Sequence, residues 1–319
     1  MKFYLKLFFV PSILLIFQTY NDILAFSDTH FGPRPDSKPF ISGDSFRALA
    51  DHIFDETTTT FNPNVVSWGD IIFVNLSHLE QFFTTIHPHI KYSYILISHN
   101  HDYSAPGKFK YILKDPKILL WFTQNPDIAN HPKLIGIPIG LSNKHWPHAQ
   151  THPDAITYVQ HLIPFDIQKR YLLYVNFHIN TNPSVRQPVY DYFSSQPFSI
   201  VMTNRVYKDY LQDLTISKFV VSPHGNGLDC HRTWEALYMG SFPVVKSSTL
   251  DPLYQDLPVL VVKEWTDITK KFLEEQYPIF RAKKYNYNRL YFKYWEDLIK
   301  QAQATIRKNR LYFNKKDIQ

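Results

Sequence analysis

The sequence predicts an α/β protein built on parallel sheets, and three observations support this class. Short apolar runs recur along the chain, separated by stretches with apolar residues at helical spacing. Residues 218–245 combine a strand, a loop of small residues, a helix and a second strand in one compact unit. At 319 residues the chain is long enough for two domains of ordinary size. We therefore expect two open parallel sheets, each covered by helices.

The first 25 residues have the pattern of a secretory signal. Lys2 and Lys6 precede an apolar run over residues 7–17, and Ala25 is a small residue suited to a cleavage point. The run is shorter than the ~20 apolar residues that a spanning helix needs. We predict a signal peptide over residues 1–25, with an uncleaved signal-anchor and membrane association as the alternative. Either form directs the chain to the secretory pathway, with the protein in a lumen or the periplasm. The cleaved form would be secreted, and the uncleaved form would be membrane-anchored.

A first domain is predicted over residues 26–165. Residues 31–39 are rich in helix breakers and predict an extended arm, and residues 43–54 predict a short helix. The stretch 76–85 has apolar residues at helical spacing between two predicted strands. The buried strands of this half are predicted at 70–74, 94–97, 117–122 and 133–139.

A second domain is predicted over residues 166–319. Its strands are predicted at 171–176, 198–202, 218–222, 242–246 and 259–262. Helix-like stretches separate these strands, which is typical of a doubly wound sheet. Two helices without an intervening strand, around 268–275 and 290–308, are expected to end the chain.

The loop after the strand predicted at 218–222 has the composition of a phosphate-binding turn. Residues 222–227 tolerate unusual backbone angles and close approach of a ligand, and Asp229 can cap the next helix. Free N–H groups at that helix start favour an anion, and Arg232 adds a forked cation. Glu235 could accept hydrogen bonds from a ribose diol, which we favour over the alternative that Arg232 and Glu235 form a surface ion pair.

This segment resembles the C-terminal half of GT-B glycosyltransferases, in particular the exostosin-like group of the family 47 type. The matching positions are Lys218-Phe219, Pro223, Gly225, Arg232, Glu235-Ala236, Gly240 and Pro243-Val244-Val245, with weaker similarity over 131–140 and 172–186. The resemblance implies a GT-B-like fold, in which two Rossmann-like parallel-sheet domains face a cleft and a C-terminal helix crosses back to the first domain. It also implies an acceptor-side first domain and a second domain that binds a nucleotide sugar, with Arg232 on phosphate and Glu235 on ribose.

Further polar residues are candidates for the nucleotide site. They are Ser222, His224, Gly225, Asn226 and Gly227 of the loop, and the cations Arg186, Arg205 and Lys246. Cys230, the single cysteine, excludes an intrachain disulfide and is expected to be structural, although a helix N-terminus could also activate its thiol.

Three residues are candidates for the catalytic base. Asp102 and His99 follow a predicted strand and could take the proton of an acceptor hydroxyl, or could simply close a turn. Asp44 is the third candidate, and its other expected role is to cap the helix that begins beside it.

These observations predict an enzyme, a hexosyl- or pentosyltransferase that moves a sugar from a UDP- or GDP-linked donor to a glycan or glycoconjugate hydroxyl. No Asp-x-Asp occurs in the chain, so we expect a metal-independent reaction with no cofactor beside the nucleotide sugar. The resemblance to the exostosin-like group implies that the reaction inverts the anomeric centre. The charge of +6 suits an anionic partner, but no nucleic-acid motif is present and no such partner is expected. The alternatives are a non-catalytic carbohydrate-binding or scaffold protein, and a metal-dependent hydrolase that uses residues 98–102.

Overall fold

Two five-stranded parallel sheets form the framework of the computed structural model, which describes residues 34–163 and 167–316. The first sheet has the order β1-β2-β3-β4-β5, formed by His52–Phe54, Ile71–Asn75, Tyr94–His99, Ile118–Thr123 and Leu134–Gly136. The second has the order β10-β9-β8-β6-β7, where β6 to β10 are Tyr171–Val175, Ser199–Val201, Ser217–Val221, Phe242–Lys246 and Leu260–Val262. The predicted class, an α/β protein with two Rossmann-like sheets in a GT-B-like arrangement, is therefore confirmed.

Helices cover the faces of both sheets. The α-helices α1 to α9 are Gly43–Arg47, Leu79–Gln81, His152–Leu162, Pro183–Ser194, Tyr207–Thr215, His231–Tyr238, Asp251–Tyr254, Lys270–Ala282 and Phe292–Lys316. A π-helical turn, Phe82–Ile86, follows α2. Short 3₁₀ helices are Pro63–Val65, Leu76–His78, His87–His89, Gly107–Lys114, Pro147–Ala149, Ile179–Thr181, Trp265–Asp267 and Tyr287–Leu290.

The central strands have the burial expected of a parallel sheet between two helical layers. Every residue of β2 and β3 is buried, which explains why both segments are continuous apolar runs in the sequence. One large apolar cluster joins the inner faces of both sheets and includes Ile97 of β3, Val220 of β8 and Trp234 of α6. The carboxyl ends of strands from both sheets are thereby held next to each other.

One predicted element is wrong. Residues 43–54 do not form a single helix, because α1 ends at Arg47 and residues 52–54 pair with β2 as strand β1, with His52 opposite Ile72. The Asp51 amide already donates to the Ile71 carbonyl at 2.9 Å. Ser42, and not Asp44, caps α1 by accepting a hydrogen bond from the Ser45 amide.

The long terminal helix α9 crosses back to the first sheet, as the resemblance implied. Nε2 of Gln303 donates to Oδ2 of Asp51 at 2.9 Å and to the Gly69 carbonyl at 3.0 Å. Nη2 of Arg307 donates to Oδ1 of Asp70 at 2.8 Å. The C-terminal segment thus stabilises the N-terminal sheet.

Two predictions about the organisation of the chain concern residues that the structure does not describe. The predicted signal segment 1–25 and the predicted domain boundary at residue 165 lie outside the described residues. Within 34–163 and 167–316, we find no helix with both the length and the apolar character needed to cross a membrane.

Candidate functional site

A cavity of about 420 Å³ lies where the carboxyl ends of strands from the two sheets meet. The first half contributes Asp102, Ile139 and His152, and the second half contributes residues that follow β6, β7 and β8 and residues of α4, α5 and α6. These are Asn176, Phe177, His178, Thr181, Arg186, Arg205, Tyr207, Tyr210, Gly225, Asn226, Gly227, Asp229, Cys230, His231, Arg232 and Glu235. This edge is where parallel α/β sheets generally bind ligands.

The glycines of the loop after β8 are required by close packing. A Cβ at Gly227 would lie 2.5 Å from Nδ2 of Asn125, and a Cβ at Gly225 would lie 2.9 Å from Nη2 of Arg186. Neither glycine has a positive φ among those recorded for the described residues, so space and not backbone strain selects glycine here. The loop therefore brings its backbone close to the first sheet and to the cavity.

Arg186 holds that loop in place. This side chain is buried, and it donates to the carbonyls of His178, Pro223 and His224 at 2.8, 3.4 and 3.0 Å. Its Nη2 also lies 3.8 Å from Sγ of Cys230. Because these bonds occupy the guanidinium, Arg186 positions the glycine loop, although it lines the cavity as well.

Arg232 is the cavity-lining cation that has an incomplete set of partners among the described residues. Its Nε donates to the Asn176 carbonyl at 2.7 Å, and its guanidinium carbon lies 5.5 Å from the centre of the Phe177 ring. Nη1 is buried and has no hydrogen-bond partner among the described residues. Since buried donors are almost always paired, this fixed guanidinium at the cavity wall is suited to an anionic ligand.

Glu235 lies one turn further along α6 and faces the same cavity. The side chain is buried, and it accepts hydrogen bonds from the hydroxyls of Tyr207 and Tyr210 at 3.1 and 2.9 Å. Burial raises the pKa of both tyrosines well above the usual value, so they act as donors to the carboxylate. Each carboxylate oxygen retains capacity to accept from a ligand hydroxyl.

Arg205 also lines the cavity, but its guanidinium, unlike that of Arg232, already pairs with a carboxylate. Its Nε and Nη2 donate to Asp213 at 2.8 and 3.2 Å, which forms a two-point ion pair. Oδ2 of Asp213 also accepts from the Tyr174 hydroxyl at 3.1 Å. The charge of Arg205 is therefore already paired at the cavity wall.

Asp229 joins the two halves at the base of the cavity. Its carboxylate accepts from the amides of Ile139 and Cys230 at 2.8 and 2.9 Å, from Nε1 of Trp234 at 2.9 Å and from the Tyr254 hydroxyl at 3.3 Å. Burial raises the pKa of this carboxyl. Asp229 contacts the start of α6 as expected, but the N-cap position belongs to Cys230.

Three loop and strand-end candidates lie away from this cavity. Ser222, His224 and Lys246 line a separate cavity of about 150 Å³ on another side of the loop. The hydroxyl of Ser222 bonds Oγ1 of Thr233 at 2.8 Å, and Nζ of Lys246 pairs with Glu264 at 2.7 Å. The structure therefore does not bring these three side chains together with Arg232.

Two of the three base candidates are buried in the first half. Nε2 of His99 donates to the Pro138 carbonyl at 3.1 Å, and its Nδ1 accepts from the Asn100 amide at 2.8 Å. Burial lowers the pKa of His99 to about 4. Asp44 is fully buried and accepts from Asn100 at 3.0 Å and from His145 at 2.9 Å. Neither residue lines the 420 Å³ cavity.

Asp102 is the one base candidate that lines the cavity, and it is exposed. Its neighbour His101 packs its ring against Tyr103, with 4.1 Å between ring centres. The three side chains of the loop 98–102 thus lie apart: His99 is buried, His101 packs on Tyr103, and Asp102 lines the cavity. Across the part of the chain that the structure describes, no group of three or more His, Cys, Asp or Glu side chains could hold a metal ion.

The structure adds cavity residues that the sequence reasoning missed. His231, the first residue of α6, lines the cavity, and its Nδ1 lies 2.7 Å from the Gly140 carbonyl. His152 also lines it, and its ring stacks on Tyr207 with 3.6 Å between centres. Burial lowers the pKa of His152 to about 4. In the sequence, the position of His231 next to Arg232 could have identified it as a site residue. No such signal existed for His152, because His152 and Tyr207 meet only in the folded chain.

The lone thiol has the properties of a structural group. Sγ of Cys230 lies 3.5 Å from the Pro223 carbonyl, and burial raises the thiol pKa. A raised pKa disfavours the thiolate that a nucleophile requires.

Comparison with known proteins finds one match to a protein family. Residues 195–307, about a third of the chain, match the model of the RXYLT1 C-terminal domain. No curated protein gives a significant match. The matched segment contains the glycine loop, Arg232 and Glu235, and the match supports the resemblance of this half to exostosin-like glycosyltransferases.

Proposed function

We propose that this protein is a glycosyltransferase that binds a nucleotide-diphosphate sugar in the 420 Å³ cavity and transfers its sugar to a glycan hydroxyl. The observation that carries the proposal is Arg232, a guanidinium fixed by Asn176 and Phe177 whose Nη1 has no partner among the described residues. An anionic diphosphate supplies the missing acceptor.

The neighbouring groups suit the other parts of such a donor. The start of α6 adds the positive end of the helix dipole beside Arg232. Glu235 lies one turn away with acceptor capacity for a ribose diol. Arg232 and the helix start would stabilise the charge that develops on the diphosphate as the sugar leaves, which is the main demand of this chemistry.

The reaction itself is proposed as a direct displacement. The acceptor oxygen forms a bond to the anomeric carbon while the bond from that carbon to the diphosphate oxygen breaks, and the electron pair leaves with the nucleotide. A single displacement inverts the anomeric centre. Localisation in the lumen of the secretory pathway is part of the same proposal, since glycan acceptors and exostosin-like transferases occur there.

Thermal unfolding in the presence of nucleotides tests the donor site. UDP, GDP, CMP and their sugars are added to the purified protein, with UDP-xylose included because the matched family is of the xylosyltransferase type. A bound donor at 100 times its Kd stabilises the fold by about 2.7 kcal/mol, which is a measurable shift in Tm. We expect Arg232→Gln to abolish the shift and Glu235→Gln to reduce it.

Lys246→Gln is the matched control, because Lys246 lies at the separate 150 Å³ cavity and should keep the full nucleotide shift. Equal shifts for Arg232→Gln and the wild type would contradict the proposal. A protein stabilised by glycans but by no nucleotide would instead be the carbohydrate-binding protein of the alternative.

A further inference from the structure

The proposed reaction requires a group that accepts the proton of the attacking hydroxyl, and most polar groups at the cavity are already committed. Asp229 accepts four hydrogen bonds and joins the two halves. Glu235 holds two tyrosine hydroxyls. His152 is stacked on Tyr207, and with a pKa of about 4 it is a weak base.

His231 differs from these groups because its hydrogen bond defines which nitrogen carries the proton. Nδ1 lies 2.7 Å from the Gly140 carbonyl, and a carbonyl oxygen can only accept, so Nδ1 donates. In the neutral ring the proton is then on Nδ1, and Nε2 carries the lone pair. No hydrogen bond from the described residues occupies Nε2, and the residue lines the cavity.

The bond to Gly140 also fixes the ring in space. Gly140 has φ +65, and a Cβ there would lie 2.2 Å from the Ile41 carbonyl oxygen, so only glycine fits. The next amide, that of Leu141, donates to the same Ile41 carbonyl at 2.7 Å and holds this backbone in place. The carbonyl belongs to the first half and the imidazole to the second. This contact therefore places Nε2 at the junction of the acceptor half and the donor half.

Resting on the proposed function, we propose that Nε2 of His231 is the proton acceptor of the transfer reaction. The acceptor O–H proton passes to Nε2 as the oxygen bonds to the anomeric carbon, and the nucleoside diphosphate leaves with the electrons of the broken bond. The resulting imidazolium keeps its Nδ1 bond to Gly140 and returns its proton to solvent or to the departing diphosphate. Asp102 and His178, which are exposed and line the same cavity, are the rival groups.

Substitution by asparagine separates this role from a structural one. In His231→Asn the amide nitrogen can occupy the position of Nδ1 and keep the bond to Gly140, while Nε2 is removed. We expect an unchanged Tm and an unchanged stabilisation by UDP-sugar, with sugar transfer or hydrolysis of the UDP-sugar reduced about 100-fold or more. His89→Asn is the control, because that exposed histidine lies outside the cavity and should keep wild-type rates.

A second measurement does not depend on turnover. Diethyl pyrocarbonate modifies unprotonated imidazole nitrogens, and mass spectrometry identifies each modified histidine. We expect modification of His231 to be blocked by the UDP-sugar that stabilises the protein, and modification of the exposed His89 to be unaffected. Rates for His231→Asn within threefold of wild type, a 100-fold loss in Asp102→Asn alone, or a His231 that the donor does not protect would each overturn the assignment. Absence of stabilisation by every nucleotide in the wild type would instead refute the proposed function.

Discussion

The protonation and role of single residues in this protein depend more on burial than on local sequence. His99 is 1% exposed, its ring stacks against Phe46, and the Pro138 carbonyl accepts from its Nε2. Because water is excluded, the pKa of His99 falls from its ordinary 6.5 to about 4, and the folded state keeps a neutral ring. A residue that looks like a catalytic base in sequence is thus a neutral packing group.

This burial predicts a loss of stability in acid. The unfolded chain binds a proton at His99 below about pH 6.5, whereas the folded chain does so only near pH 4, so stability is full above pH 6.5 and falls as pH drops between these values. From pH 7.5 to 5.0 the loss due to His99 is about 2 kcal/mol. His99→Gln keeps a donor for the Pro138 carbonyl but cannot titrate. Urea unfolding at both pH values should therefore show a smaller loss in this variant than in the wild type.

The exposed His89 provides the control, since His89→Gln should retain the wild-type pH dependence of the unfolding free energy. An identical acid loss in His99→Gln and the wild type would refute the prediction.

At the scale of elements, the glycine loop depends on its neighbour from the first half. Asn125 donates through Nδ2 to the Asp102 carbonyl at 3.3 Å and accepts through Oδ1 from the Asp229 amide at 2.8 Å. Gly227 lies against the same amide group. The loop that borders the cavity is therefore positioned by a side chain about a hundred residues away in the chain.

Gly227→Ala tests this packing. The added Cβ would lie 2.5 Å from Nδ2 of Asn125, so the amide must move and its two hydrogen bonds must weaken. We expect the free energy of unfolding to fall by about 1 to 3 kcal/mol, with a smaller stabilisation by nucleotide. Asn226→Ala, a change at the exposed neighbour, should leave the unfolding free energy of the ligand-free protein unchanged. Equal stability of the two variants would mean that the loop adapts to a side chain.

At the scale of the whole molecule, contacts between distant segments hold the two sheets together. The Ile41 amide donates to the Tyr238 hydroxyl at 3.3 Å, and that hydroxyl donates to the Leu290 carbonyl at 2.7 Å. Helix α9 adds the bonds of Gln303 and Arg307 to the first sheet. The walls of the cavity come from both halves, so its shape depends on these contacts.

Gln303→Ala should weaken the tie between α9 and the first sheet. The substitution removes the two hydrogen bonds that the buried side-chain amide donates and leaves the Gly69 carbonyl without this donor, so we expect a loss of about 1 to 3 kcal/mol in unfolding free energy. Gln301→Ala is the control, because Gln301 is exposed on the same helix. Chemical denaturation that gives the same midpoint for both variants would contradict the prediction.

The strand pattern was readable from sequence because buried parallel strands are continuous apolar runs. Strands β2, β3, β8 and β9 lie within one or two residues of the predicted ranges, and the βαβ unit around the glycine loop forms as expected. Strand β1 was missed because it exists through pairing with β2, a contact that local composition does not encode. The same limit explains why 43–54 was predicted as one helix.

The sequence by itself determined the α/β class and the loop with Arg232 and Glu235, because periodicity, helix caps and glycine spacing are local properties of the chain. Only the tertiary structure decided which polar groups share a cavity. Lys246 at the end of β9 and His224 in the loop after β8 line the 150 Å³ cavity, whereas Arg232, Glu235 and His231 of α6 line the 420 Å³ cavity. Burial also decides the role of each histidine. His99 is closed off from water and its pKa is lowered, so its ring stays neutral, whereas His231 lines the 420 Å³ cavity.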